Sequence, residues 1–148
     1  MSEPQLTPST IHPSLSYDDA PAAIEFLCRV FGFKKRLVVP GPDGTVRHSE
    51  LSLGPGVIMV HTSRPEQGRI SPSGLPGVTQ SLALVIDNPD EHYAHLKAEG
   101  ADIIEELKDE DFGSRGYAVK DLEGHYWYFA TYRPGIWWDK EGNESDVT

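Results

Sequence analysis

The sequence predicts an α+β protein built from two tandem βαβββ modules, and three observations predict it. First, residues recur weakly at a constant offset of 68: Asp19 with Asp87, Pro21 with Pro89, Gly32 with Gly100 and Gly56 with Gly124. Second, each half has the same grammar: a short strand, an Asp-x-Pro start, a helix closed by Gly, then strands separated by turns. Third, the run from Asp111 to Tyr132 reads as a hairpin, with a strand over Gly116 to Lys120, a turn at Asp121-Leu122-Glu123-Gly124 and an aromatic strand from His125 to Tyr132. Proline suits the first turn of a helix and glycine the position just past its end, so the repeated residues have a structural reason.

In the first half, Ile11 to Tyr17 reads as a strand. Ala22 to Phe31 reads as a helix whose apolar stripe is Ile24, Leu27, Cys28 and Phe31. Three strands follow, Phe33 to Val39, Val46 to Leu53 and Val57 to Thr62, divided by a Pro-Asp-Gly turn at Pro42 to Gly44 and by a Gly-Pro-Gly turn. Arg64 to Val78 is rich in Pro and Gly and poor in apolar residues, so it is expected to connect the halves. The second half repeats the order: a strand over Thr79 to Ile86, a helix over Asp90 to Glu99 resting on Tyr93 and Leu96, a strand near Ile103 to Leu107, and the hairpin. In its last strand Tyr126, Tyr128 and Ala130 alternate with Trp127, Phe129 and Thr131. Both faces are largely apolar, so one is expected to meet a helix and the other a cavity. The 148 residues suit a single domain, divided as 9–63 for the first module, 64–78 for the linker, 79–132 for the second module and 133–148 for the tail.

Thirteen Lys plus Arg against 23 Asp plus Glu give a formal charge of -10, which repels phosphate backbones and anionic lipid, so no nucleic-acid or membrane partner is expected. No apolar run reaches the length of a membrane span, and MSEPQLTPST has no basic, apolar secretory pattern, which points to the cytoplasm. The single Cys28 cannot form an intramolecular disulfide and falls on the apolar stripe of a helix.

Four segments in order resemble one family: IHPSLSYDDAPAAIEFLCRVFGF, RHSELSLGPGVIMVH, SLALVIDNPDEHYAHLKAEGA and GSRGYAVKDLEGHYWYF. Together with the repeat, they resemble the vicinal oxygen chelate superfamily, which includes glyoxalase I, ring-cleaving dioxygenases and bleomycin resistance proteins, over residues 9 to 132. The resemblance implies paired βαβββ modules forming a U-shaped mixed sheet around a cavity, often completed by module exchange in a homodimer. It also implies four metal-ligand positions, on the first and last strand of each module. Carried over, these fall on His12 and Gln80, on Tyr128 where the metal enzymes have Glu, and on Val60, or Met59 if the strand slips by one.

Divalent transition metals need convergent, strongly donating N, O or S groups, and a phenol, an aliphatic chain and a thioether donate poorly. The metal site therefore reads as degenerate, with no cofactor expected and His12 and Gln80 as remnant positions. The missing Glu also removes the acid or base of the lyase and isomerase branches. His12 reads equally as a cavity-rim histidine or as a ligand. His48 and Glu50 share one face of their strand, either as a polar pair in the cavity or on a solvated edge. His61 is expected to be half buried, His92 and His95 to lie on a solvated helix face, His125 to serve turn and strand packing, and Arg115 to be an exposed loop cation. Trp137 and Trp138 are expected to pin the tail to a partner subunit or the cavity mouth.

These readings favour a metal-free, homodimeric protein that binds a planar or aromatic small molecule, with His12, Glu50, Met59, Val60, Gln80, Tyr126 and Tyr128 as candidate ligand contacts. The alternatives are a metal-dependent lyase, isomerase or dioxygenase with other ligands such as Glu50 or His61, and a purely structural or regulatory dimer with a collapsed cavity.

Overall fold

The computed structural model describes residues 9–135. Trp137 and Trp138, and the last part of the tail, lie outside the described residues. The first module comprises β1 (Ser14–Tyr17), α1 (Ala20–Phe26), β2 (Lys34–Pro40), β3 (Val46–Leu53) and β4 (Gly56–Thr62). The second comprises β5 (Ser81–Val85), α2 (Pro89–Ala98), β6 (Asp102–Asp109), β7 (Arg115–Lys120) and β8 (Tyr126–Ala130). Each module folds into a four-stranded mixed sheet, ordered β1-β4-β3-β2 and β5-β8-β7-β6, with the first strand parallel to the last. The chain is thus α+β with two tandem βαβββ modules, and among the described residues the outer edges of β1 and β5 pair with no strand.

Local chemistry accounts for the element limits. Asp19 caps α1 by accepting from the Ala22 N–H, and Pro21 sits in the first turn, where a missing N–H costs nothing. Beyond Phe26 the helix widens into a single π-helical turn, Leu27–Phe31, ended by Gly32 in the left-handed conformation at φ 92°. Pro89 opens α2 in the same way.

The wide turn explains why the modules are not related by one constant offset. Counting from the cap residues Asp19 and Asn88, the segment to the closing glycine is one residue longer in the first module. The β7–β8 turn is in turn one residue longer than the β3–β4 turn, since Glu50 pairs with Met59 but Ala118 with Tyr128. The offset is therefore 69 at the first and last strands, where Ser14 pairs Met59 and Ala83 pairs Tyr128, and 68 between them. Because side chains alternate along a strand, an offset wrong by one moves a residue to the opposite face.

The core lies where the helical segments meet both sheets. Leu15, Tyr17, Leu51, Ile58 and Val60 enter it from the first sheet, and Leu82, Tyr117, Val119, Trp127 and Phe129 from the second. The Phe31 ring, at the end of the wide turn, stands edge-on to Trp127 at 5.4 Å and to Phe129 at 5.2 Å. The first module's helix end is thus buried against the second module's aromatic strand. Each such buried aromatic contributes about 1.5–3 kcal/mol of apolar burial.

Candidate functional site

The faces turned away from the helices are the candidate site. On the second sheet, Trp127 and Phe129 point into the core while Tyr126 and Tyr128 stand partly exposed on the other face. The pairing register sets two rows across that face: Ala83, Tyr128 and Ala118 in one, Ser81, Tyr126 and Lys120 in the next. Small neighbours leave the Tyr128 ring open on both sides, and the Lys120 ammonium lies 5.1 Å from the Tyr126 ring centre. The sheet tolerates this close spacing because Gly116 has no side chain: a Cβ there would meet Ala130 Cβ at 2.4 Å and the Phe129 carbonyl at 2.5 Å.

On the first sheet the matching face is polar. One row runs Ser14, Met59, Glu50 and Leu37. His48 lies two residues before Glu50, and its Nε2 meets Glu50 Oε2 at 2.8 Å, so these two residues do form a pair. His61 is 5% exposed rather than half buried, with both ring nitrogens engaged: Nδ1–H donates to the Thr62 carbonyl at 2.9 Å, leaving Nε2 to accept from Oγ of its cross-strand neighbour Ser16 at 3.3 Å. Burial lowers its pKa, and the hydrogen bonds consume the ring. His12 is exposed and meets the Val57 carbonyl through Nδ1 at 3.3 Å.

Two candidate contacts are corrected. Val60 is fully buried on the helix-facing side, so the residue on the open face is Met59. Gln80 precedes β5 and is exposed beside a hollow shared with Ile70, Pro72, Leu75, Thr79 and His125. By register the counterpart of His12 is Ser81. The first-strand error comes from the residue that the wide turn inserts, and the last-strand error from the longer β7–β8 turn. The four positions assigned to a metal by family resemblance then carry His12, Met59, Ser81 and Tyr128. One imidazole, a thioether, a hydroxyl and a phenol, without a carboxylate, do not fit a divalent transition ion. Among the described residues no three His, Cys, Asp or Glu are placed to hold a cation.

Two other expectations change, those for His92 and Arg115, while His95 is exposed as expected. His92 is half buried, with Nε2–H donating to the Phe31 carbonyl at 2.8 Å and Nδ1 accepting from the Tyr117 hydroxyl. The free carbonyls at the end of the first helical segment draw it in, and His95 Nε2–H donates likewise to the Arg29 carbonyl at 2.9 Å. Arg115 is not a free loop cation: it pairs with Asp90 at 2.8 Å and Asp109 at 3.2 Å.

Sequence reading missed the residues that join the modules. Asp121 is 5% exposed and accepts from Tyr17 Oη at 2.5 Å, from Trp127 Nε1 at 3.0 Å and from the backbone N–H groups of Glu123, Gly124 and His125. Burial, then the Asp121 charge, holds the Tyr17 phenol well above its ordinary pKa. Glu123 accepts from the Asp18 and Asp19 N–H groups at 2.7 and 2.9 Å, capping a helix of the other module. His125 Nε2–H donates to the Ser16 carbonyl at 3.0 Å. The acidic turn sequence was visible, but its partners are about a hundred residues away.

Comparison with known proteins places these features in a family. Residues 10–129 match the family described as the glyoxalase/bleomycin resistance protein/dioxygenase superfamily. A Mycobacterium bovis protein, Mb0911c, is 30% identical over 120 residues, covering 79% of each chain. Among solved structures, TioX from Micromonospora sp. ML1 is similar at 35% identity and a TM-score of 0.66, over 84% of this chain and 99% of that one. The fosfomycin resistance protein FosX from Listeria monocytogenes shares the fold at 14% identity and a TM-score of 0.64, over 87% and 97% of the two chains. With its paired βαβββ modules and a family match along most of its length, the chain belongs to the glyoxalase/bleomycin resistance protein/dioxygenase superfamily.

Proposed function

We propose that this protein is a metal-free homodimer that binds a planar or aromatic small molecule against the tyrosine face of its second module. The observation that carries the reading is Tyr128: a partly exposed ring between two alanines, at a position where metal-dependent relatives are expected to carry a carboxylate. A flat ring stacks on such a surface with little ordering cost, since the small neighbours leave room and the sheet is rigid. In one chain this face is open. Its enclosure calls for a second copy, and the unpaired outer edges of β1 and β5 present rows of free N–H and C=O groups on which another chain can dock.

Calorimetric titration with a panel of planar aromatic compounds, together with sedimentation analysis of the same sample, tests this reading. A dimer that binds some panel members with one site per cavity, and that loses about tenfold in affinity in Tyr128→Ala, is the expected result. A monomer, or a dimer that ignores the whole panel, overturns it.

A metal-dependent lyase, isomerase or dioxygenase is the second reading, favoured by Glu50 standing directly across from Met59 with His48 bonded to it. Elemental analysis of protein purified without a metal-affinity tag, with thermal shifts on adding Ni, Zn, Mn or Fe(II), separates the two. A stoichiometric ion with a shift reversed by chelator would put the enzyme first.

A further inference from the structure

Resting on the aromatic-binding reading above, we propose that the ligand is an arene bearing an anionic group, its ring on Tyr128 and its anion held by Lys120. Two strand positions separate the Tyr128 row from the row of Tyr126 and Lys120, a spacing of about 7 Å, which a bicyclic ring and its substituent span.

Lys120 is half buried, and its ammonium lies over the Tyr126 ring rather than on a carboxylate. Its cross-strand partner on the other side is Asp102, with Glu105 opposite Ala118, yet among the described residues neither acid reaches ion-pairing distance of Lys120. These two acids make the β6 side of the face repulsive to an anion. The remaining approach to Lys120 is over Tyr126, from the β8 side, where a stacked ring would already lie. A cationic ligand would meet the ammonium on that same path. Lys120 is thus the residue that sets the sign of the ligand's charge, and the two tyrosines set its shape.

The test titrates the full chain with 2-naphthoate, 2-naphthamide and 2-naphthylmethylammonium by calorimetry, at low and at physiological salt. Naphthoate should bind about tenfold more tightly than the amide, as a charge-assisted hydrogen bond implies, with the gap widening at low salt. In Lys120→Met, whose fold is checked by near-ultraviolet circular dichroism, that gap should close while amide binding is retained. Tyr128→Ala should weaken all three. Naphthoate binding no tighter than the amide, an ammonium preference, or a gap that survives Lys120→Met would overturn the inference and leave the aromatic reading standing. Binding by none of the three would overturn both.

Discussion

The two modules end in hairpins of the same design, yet their turns play different parts. The β3–β4 turn passes through Gly54, in the left-handed conformation at φ 57°, and Pro55, with no polar side chain. It closes a hairpin and does nothing more. The β7–β8 turn, one residue longer, carries Asp121 and Glu123, whose carboxylates accept hydrogen bonds from Tyr17, Asp18 and Asp19 of the first module. The two turns occupy corresponding places in their modules, and only the acidic one bonds to the other module. The open faces differ in the same way: histidine, glutamate and methionine on one, tyrosine and lysine on the other.

The comparison can be broken or sharpened by mutation. Asp121→Ala strips five donors of a buried acceptor and should cost about 3–5 kcal/mol in urea unfolding, whereas Pro55→Ala in the other turn should stay within about 0.5 kcal/mol. Equal effects would mean that the turns are not specialised. Next comes Gly116→Ala, which drives a methyl group into the β8 backbone and should cost about 1–3 kcal/mol, read as a lower melting temperature. Glu123→Ala removes the bonds to Asp18 and Asp19 across the module boundary together with the one from the Ser71 hydroxyl, and about 1–2 kcal/mol is expected from the same unfolding curves. An effect no larger than that of Pro55→Ala would mean that Glu123 adds nothing to the joint.

The smallest effect expected is that of pH. Burial lowers the pKa of His92 and of His61 in the folded protein, so between those values and the ordinary histidine value the unfolded chain binds more protons. Their contribution is complete above about pH 6.5 and is lost as pH falls below it. The melting temperature should drop on going from pH 7 to pH 5, and His92→Gln should flatten the drop. A profile that is flat in the parent protein would contradict the buried, neutral form of these rings.

Much of the fold was legible because its signals are local. The α1 cap at Asp19, the glycine stop at Gly32, the alternation of Trp127 and Phe129 with Tyr126 and Tyr128, and the turns at Pro42 and Asp121 each depend on a few adjacent residues. Every strand of both modules is found where alternation and turn residues put it, with ends moved by a few residues. The site was less legible. Transferring positions between modules needs a residue count, and the π-helical turn at Leu27–Phe31 changes that count with no distinctive side chain to announce it. Gln80 was misplaced for that reason, and Val60 because the β7–β8 turn is one residue longer than its counterpart, while Met59, Glu50, Tyr126 and Tyr128 sit on the open faces.

Residue type and spacing were thus enough to determine two βαβββ modules, their turns and the faces of the aromatic strand. The tertiary structure alone decided the register between modules, the burial of His61 and His92, and the selection of Asp121 and Glu123 as the joint. Those features depend on which groups meet across about a hundred residues of chain, where a buried polar atom must find a partner, and no local pattern encodes who that partner is.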